Sequence, residues 1–309
     1  MSVASNAGAG GVPRVTGVRS VDFGVPDLDA AARFYEETWG LKPVASGSRS
    51  VYLRGTGSSY YILGLHRQPV SELLRVDLSA ASRADVDALH ASLAGAHLPE
   101  LEKPGPVTDP GGGYGFAFRD AEGRVMRILA EDQRHADTAD QRDRPRKISH
   151  VVLNSPDRTG RFFIDRMGFK LSDQTGRITF LRCGTDHHSI ALFKSESCSL
   201  NHVAFEMPDL DSVMSGSGRL RDHGCEIEWG VGRHGPANNV FSYFIGPGDF
   251  VIEYTSDVDQ IDDSYKVGTP EDWKWPPGRI DRWGIHYGPS QRLHENEVKV
   301  GFSGGIFRP

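Results

Sequence analysis

Two histidines and a glutamate, His150, His202 and Glu253, stand 52 and 51 residues apart, in the stretches ISHVVL, LNHVAFE and DFVIEYTSD, each of which reads as a β-strand. Neutral imidazole and carboxylate are ligands for a divalent transition metal. Two of the first with one of the second on one face of an ion leave its other positions open, the donor set of non-haem Fe(II) centres that activate oxygen. Mn(II) also fits such a set. A structural zinc calls for four ligands, often thiolates, and Cys183, Cys198 and Cys225 lack the spacing to serve; they read as packing residues.

Taken singly, a strand histidine packs in the core and a strand-end glutamate is solvated. An internal repeat changes that reading. VRSVDFGVPDLDAAARFYEETWGLKPV from Val18 and ISHVVLNSPDRTGRFFIDRMGFKLSD from Ile148 share a strand, a Pro-Asp helix start, an aromatic pair (Phe34-Tyr35, Phe162-Phe163) and a closing glycine. Pro with an acidic neighbour suits the exposed amides of a helix start, and Gly40 and Gly168 end the helices. A second pattern pairs LLRVDLSA and GRVMRILAED with LNHVAFEMPDL and DFVIEYTSD. The chain thus holds four units of about 50–65 residues, each βαβββ. At the positions of the trio the first half carries Ser20, Arg75 and Arg127, which cannot bind a divalent cation. A demand of the scaffold would appear in both halves, so the trio points to a task confined to the second. Strand alternation places Ile148, His150 and Val152 on one face, and Leu200, His202, Ala204 and Glu206 on one face. Lining a dry cavity with them requires the units of the second half to curl into an incomplete barrel.

The 309 residues divide into a flexible leader (1–14), a first domain without metal (15–135), a linker (136–146), a catalytic domain (147–258) and a tail (259–309) packed on the catalytic domain. The charged stretch from Glu131 to Lys147 reads as solvated. Trp273, Trp275 and Trp283 of the tail either cover the mouth of the cavity or pack against the barrel, and packing is the expectation. A net charge of −6 without a basic run excludes nucleic acid and anionic membrane as obvious partners and leaves small molecules. No apolar run is long enough for a transmembrane helix, and the start MSVASNAGAGGVPR lacks both parts of a secretory signal, so a cytoplasmic location is expected.

Three groups could complete a reaction site: the pair His187-His188 in TDHHSIALF, His234 in VGRHGPANN, and Tyr243 in VFSYFIG. Tyr243 lies ten residues before Glu253 across the GPGD turn and can face a metal held there. Histidine can take and return a proton near neutral pH. His66, His90, His97, His135, His223 and His286 show no partner pattern and read as surface residues.

The order of ISHVVL, DHHSIAL, LNHVAFE, GRHGPANNVFSY and DFVIEYTSD, with the silent first half, resembles the type I extradiol ring-cleaving dioxygenases of the vicinal oxygen chelate superfamily. The likeness is to the two-domain dihydroxybiphenyl and catechol dioxygenases and runs from about Val15 to Gly284. It implies an α+β fold of four βαβββ modules paired into two incomplete barrels. It also implies Fe(II) held by His150, His202 and Glu253, with His188 as the acid/base histidine, and His234 and Tyr243 hydrogen-bonding the catecholate and oxygenated species. Both atoms of O₂ would enter a catechol-type diol, opening the ring beside the diol to a muconic semialdehyde-type product. Many relatives assemble into homo-oligomers, and the resemblance implies the same of this chain. The Gly-Pro-Ala-Asn-Asn loop after His234 departs from the best-known dihydroxybiphenyl members, which keeps a hydroquinone or trihydroxylated ring in view as substrate. The rival readings are a glyoxalase-like metal-dependent lyase or isomerase, which commonly uses four ligands, and a non-catalytic binding protein.

Overall fold

The computed structural model describes residues 14–285 and 288–309, so the leader, apart from Arg14, and His286 lie outside the described residues. The second half is one eight-stranded sheet. At its centre Lys147–Ser155 and Ser199–Glu206 run antiparallel. Beyond the first lie Ile190–Lys194, parallel to it, then Ile178–Arg182 and Lys170–Gln174. Beyond the second lie Val251–Ser256, also parallel, then Val240–Ile245 and Trp229–Arg233. Helices Arg161–Met167 and Leu210–Asp222 each follow a central strand. The first half repeats the order around Gly17–Val25 and Glu72–Ser79. Few helices and two mixed sheets built from four βαβββ modules make this an α+β, glyoxalase-like fold.

The two helix starts differ although both carry Pro-Asp. In the first half the Asp27 carboxylate accepts from the Ala30 amide at 3.0 Å and caps helix Leu28–Arg33. In the second half Asp157 instead accepts from the Thr159 amide at 2.9 Å, an Asx turn that occupies the would-be cap. The helix therefore begins only at Arg161, after Gly160 in the left-handed region (φ 69°). Gly168 (φ 70°) closes it as expected.

Strict alternation fails where it matters most. The register of the central pair in the second half shifts between Ile148 and His150, and again between Leu200 and His202. One extra residue in each strand, a β-bulge, turns the following side chains to the other face. Ile148 and Leu200 consequently join the main core with Val151, Leu153, Val203 and Phe205, while His150, Val152 and His202 line a cavity. The expected sharing of one face by Ile148 with His150, and by Leu200 with His202, is thus corrected. The first half has the same two irregularities, between Val18 and Ser20 and between Leu73 and Arg75. The bulges belong to the scaffold, whatever chemistry it carries.

One apolar core runs through both halves. The Trp39 ring stacks on Tyr254 at 3.8 Å and Phe23 on Phe250 at 3.8 Å, and each fully buried aromatic contributes roughly 2–3 kcal/mol of burial free energy. The tail does not keep to the second half. Leu293, in helix Gln291–Asn296, packs behind Phe241 and Tyr243, but Gly301–Phe302 then pairs with Glu72–Leu73 in the first sheet, and the Phe307 ring meets His66 at 4.5 Å. No helix among the described residues is long and apolar enough to cross a membrane.

Candidate metal centre and catalytic cavity

The parallel and antiparallel registers bring the three spaced residues together. His150 pairs with Ala204, Ala204 with Glu253, and His202 with Val152. One donor atom from each of His150, His202 and Glu253 lies within 4.8 Å of the others, and all three side chains are buried. The Glu253 Oε2 atom is 3.3 Å from His150 Nε2 and 3.2 Å from His202 Nε2. Cis ligands of an octahedral ion with bonds of about 2.1 Å stand roughly 3 Å apart, so the spacing fits a shared cation. Among the described residues, His202 Nε2 and Glu253 Oε2 make no hydrogen bond despite being buried. Buried polar atoms without a partner are rare, and a metal would satisfy both.

The rings are held from behind by residues that the sequence reading passed over. His202 donates from Nδ1 to Asn201 Oδ1 at 2.7 Å, which leaves Nε2 bare toward the cavity. The Ser149 hydroxyl lies 3.1 Å from His150 Nδ1. Asn239 Nδ2 donates to Thr255 Oγ1 at 2.8 Å and to Glu253 Oε1 at 3.4 Å, steering the other carboxylate oxygen toward the imidazoles. Ser149 and Asn201 sit where the two bulges fall, which lets each reach the ring of the next residue. Adjacency to a suspected ligand was the only signal in the sequence. Burial alone would raise the Glu253 carboxyl, but His150 and then His202 outweigh it and hold it well below the usual range. Burial lowers His150, against the pull of Glu253.

The three further candidates meet His150 and His202 in the same cavity, of about 550 Å³, with the buried Glu253 carboxylate set against the two imidazoles. Tyr243 pairs directly with Glu253 across the hairpin, so both project from one face. Its hydroxyl lies 3.1 Å from His234 Nε2, and its ring meets the His202 ring edge-on at 5.1 Å. The His234 ring stacks on Phe241 at 3.9 Å. Of the histidine pair it is His188 that lines the cavity, 4.1 Å from the His150 ring; His187 turns away to Asp173. Burial, and then the surrounding imidazoles with His150 first, hold His188 well below its ordinary value. Burial pushes His234 down to about 4. Burial, and then Glu253, raise the Tyr243 hydroxyl well above its ordinary value. At neutral pH the cavity therefore offers neutral imidazole bases and a phenol that keeps its proton.

Two outcomes differ from the surface-and-packing expectation. Trp273 and Trp275 do line the cavity; a side chain on Gly235, next to His234, would collide with the Trp275 ring. Trp283 packs on the core, with the Arg233 guanidinium over its ring at 5.2 Å. His66 is buried, with Nε2 2.8 Å from Asp22 Oδ1.

Residues 147–254 match the model of the Glyoxalase/Bleomycin resistance protein/Dioxygenase superfamily. A solved Mn(II)-bound glyoxalase from Novosphingobium aromaticivorans is 39% identical, with a TM-score of 0.84 over 91% of this chain and 94% of that one. Metapyrocatechase 2 of Cupriavidus necator is 32% identical over 57% of this chain, an alignment that spans about half (52%) of that protein. The manganese-dependent 2,3-dihydroxybiphenyl 1,2-dioxygenase of Geobacillus genomosp. 3 is 22% identical over 86% of this chain and 92% of its own length. With the trio, the repeat and the fold all in agreement, the chain belongs to the Glyoxalase/Bleomycin resistance protein/Dioxygenase superfamily, known also as the vicinal oxygen chelate superfamily.

Proposed function

We propose that this protein is a metal-dependent extradiol dioxygenase that opens a catechol-type ring beside the diol, both atoms of O₂ ending in a muconic semialdehyde-type product. One observation carries the reading: the two histidines of a buried two-histidine, one-carboxylate trio line an apolar-walled cavity with two neutral histidines and a tyrosine. The names of metapyrocatechase 2 and the dihydroxybiphenyl dioxygenase support it. In this reading His150, His202 and Glu253 hold the metal. Fe(II) is the metal proposed from the donor set, with Mn(II) the alternative that the names of two relatives bring forward.

When bound, the metal supplies a common centre for diol and dioxygen, removing the entropic cost of their encounter and passing electrons between them. The side chains do the rest. His188 takes a diol proton at a ring nitrogen and returns it to the departing oxygen later in the reaction. The Tyr243 hydroxyl, paired with His234, donates to a diol oxygen and stabilises the charge that develops there. Val152, Phe180 and Trp229 supply apolar walls that exclude water from the ring.

The second reading, a glyoxalase-like lyase or isomerase, draws on the name of the 39%-identical structure. Anaerobic protein loaded with Fe(II) or with Mn(II), given a panel of catechols, hydroquinones and trihydroxylated rings, separates them. Oxygen uptake matched one to one by a yellow product is expected; a metal-loaded protein that consumes no oxygen with any diol overturns ring cleavage.

A further inference from the structure

Behind His188 lies a buried imidazole that the proposed chemistry leaves unused. His187 has Nε2 2.8 Å from Asp173 Oδ2 and Nδ1 3.2 Å from His188 Nδ1. Asp173 is buried as well, and accepts from the Tyr265 hydroxyl at 3.0 Å and the Gly268 amide at 2.6 Å. Both of its oxygens are therefore engaged, and the tail pins it in place. The Phe180 ring stands edge-on to His187 and His188 at 5.7 and 5.0 Å.

The hydrogen-bond inventory of these groups gives the chain a direction. An ionised carboxylate only accepts, so His187 meets Asp173 with an N–H at Nε2. If that Nε2 hydrogen is the one His187 carries, its Nδ1 is bare and can only accept, so His188 donates to it from its own Nδ1. His188 then keeps no hydrogen on Nε2. We propose that Asp173 and His187 are positioning residues that hold His188 in the Nδ1–H tautomer and fix its ring, so that Nε2 is the bare nitrogen offered to the substrate. What that nitrogen does rests on the ring-cleavage reading; the tautomer itself does not.

The first test uses the unmutated, full-length protein without metal, labelled with ¹⁵N, at neutral pH. Long-range ¹H–¹⁵N correlation, with the His188 signals assigned by their loss in His188→Gln, is expected to show hydrogen on Nδ1. Hydrogen on Nε2 overturns the proposal. The second test compares two variants of the metal-loaded enzyme. His187→Phe keeps the ring's bulk and removes the acceptor, whereas His187→Asn places an amide oxygen near the lost Nδ1. The first lowers kcat on the order of 10- to 100-fold, with KM and metal content little changed, and the second recovers most of that loss. Equal losses in both, or none in His187→Phe, overturn the positioning role. An Nδ1–H signal in a protein that opens no diol upholds the tautomer and sinks the ring-cleavage reading instead.

Discussion

The two halves carry the same strands, the same pair of bulges and opposite contents. The register puts Ser20, Arg75 and Arg127 where His150, His202 and Glu253 stand. It also puts Asp22 and Asp77 where the second half has Val152 and Ala204. In the first half Arg75 bridges Asp22, Asp77 and Asp109, Arg127 bridges Asp77 and Asp109, and His66 meets Asp22. Buried carboxylates there are neutralised by the protein's own guanidinium groups. In the second half the Glu253 carboxylate faces two imidazoles and an amide, and the small apolar neighbours leave a cavity. The difference teaches that one scaffold can meet the charge of a buried carboxylate by different means. One half supplies a counter-charge internally, and in the other the proposed metal would supply it.

The largest effect expected is from His202→Ala or Glu253→Ala, which abolish metal binding and turnover. Elemental analysis of the purified variants checks this, and full metal occupancy in either would break the contrast between the halves. Arg75→Met, the counterpart of His202 in the first sheet, leaves metal content per folded chain unchanged. It leaves Asp22 with His66, and Asp77 and Asp109 sharing Arg127, as the remaining ion-pair partners, so denaturant titration should show a loss of about 3–5 kcal/mol.

Acid should separate the halves more gently. His234 falls from its ordinary value near 6.5 to about 4 on folding, so its contribution to stability is present above pH 6.5 and is lost as pH falls toward 4. Asp22 and Asp109 are held below the usual range: burial would raise both, but Arg75 leads the groups that outweigh it. Their contribution persists to about pH 4 and is lost only below it. Stability measured from pH 7 to 3 should therefore decline in two stages, and His234→Gln should flatten the upper one by roughly 3 kcal/mol. A single decline below pH 4 in the unmutated protein would contradict this.

The smallest effect sharpens the role of the hairpin. Tyr243→Phe removes the hydroxyl beside His234 and should lower kcat about tenfold with metal content unchanged, a loss in the range of one or two hydrogen bonds in the transition state. Equal loss of metal and activity would make Tyr243 a support for the trio instead.

The repeat, the βαβββ order and the contrast between the trio and Ser20, Arg75 and Arg127 were legible because each is a matter of residue type and spacing along the chain. The bulges were not. An inserted strand residue changes no composition, yet it sent Ile148 and Leu200 into the core and set Ser149 and Asn201 against the ligand rings. His66 looked like a surface histidine because Asp22, its partner, lies 44 residues away.

The sequence by itself determined which half could hold a metal and with which three side chains, since ligand chemistry is a property of the residues. Tertiary structure alone decided that His188 and not His187 enters the cavity, that Asn239 steers the carboxylate, and that Trp273 and Trp275 from the tail help to wall the cavity. Those outcomes depend on which strand lies beside which, on a one-residue shift of register, and on where a distant segment folds back. Distances in space set by pairing and packing are not encoded in any local window of the chain.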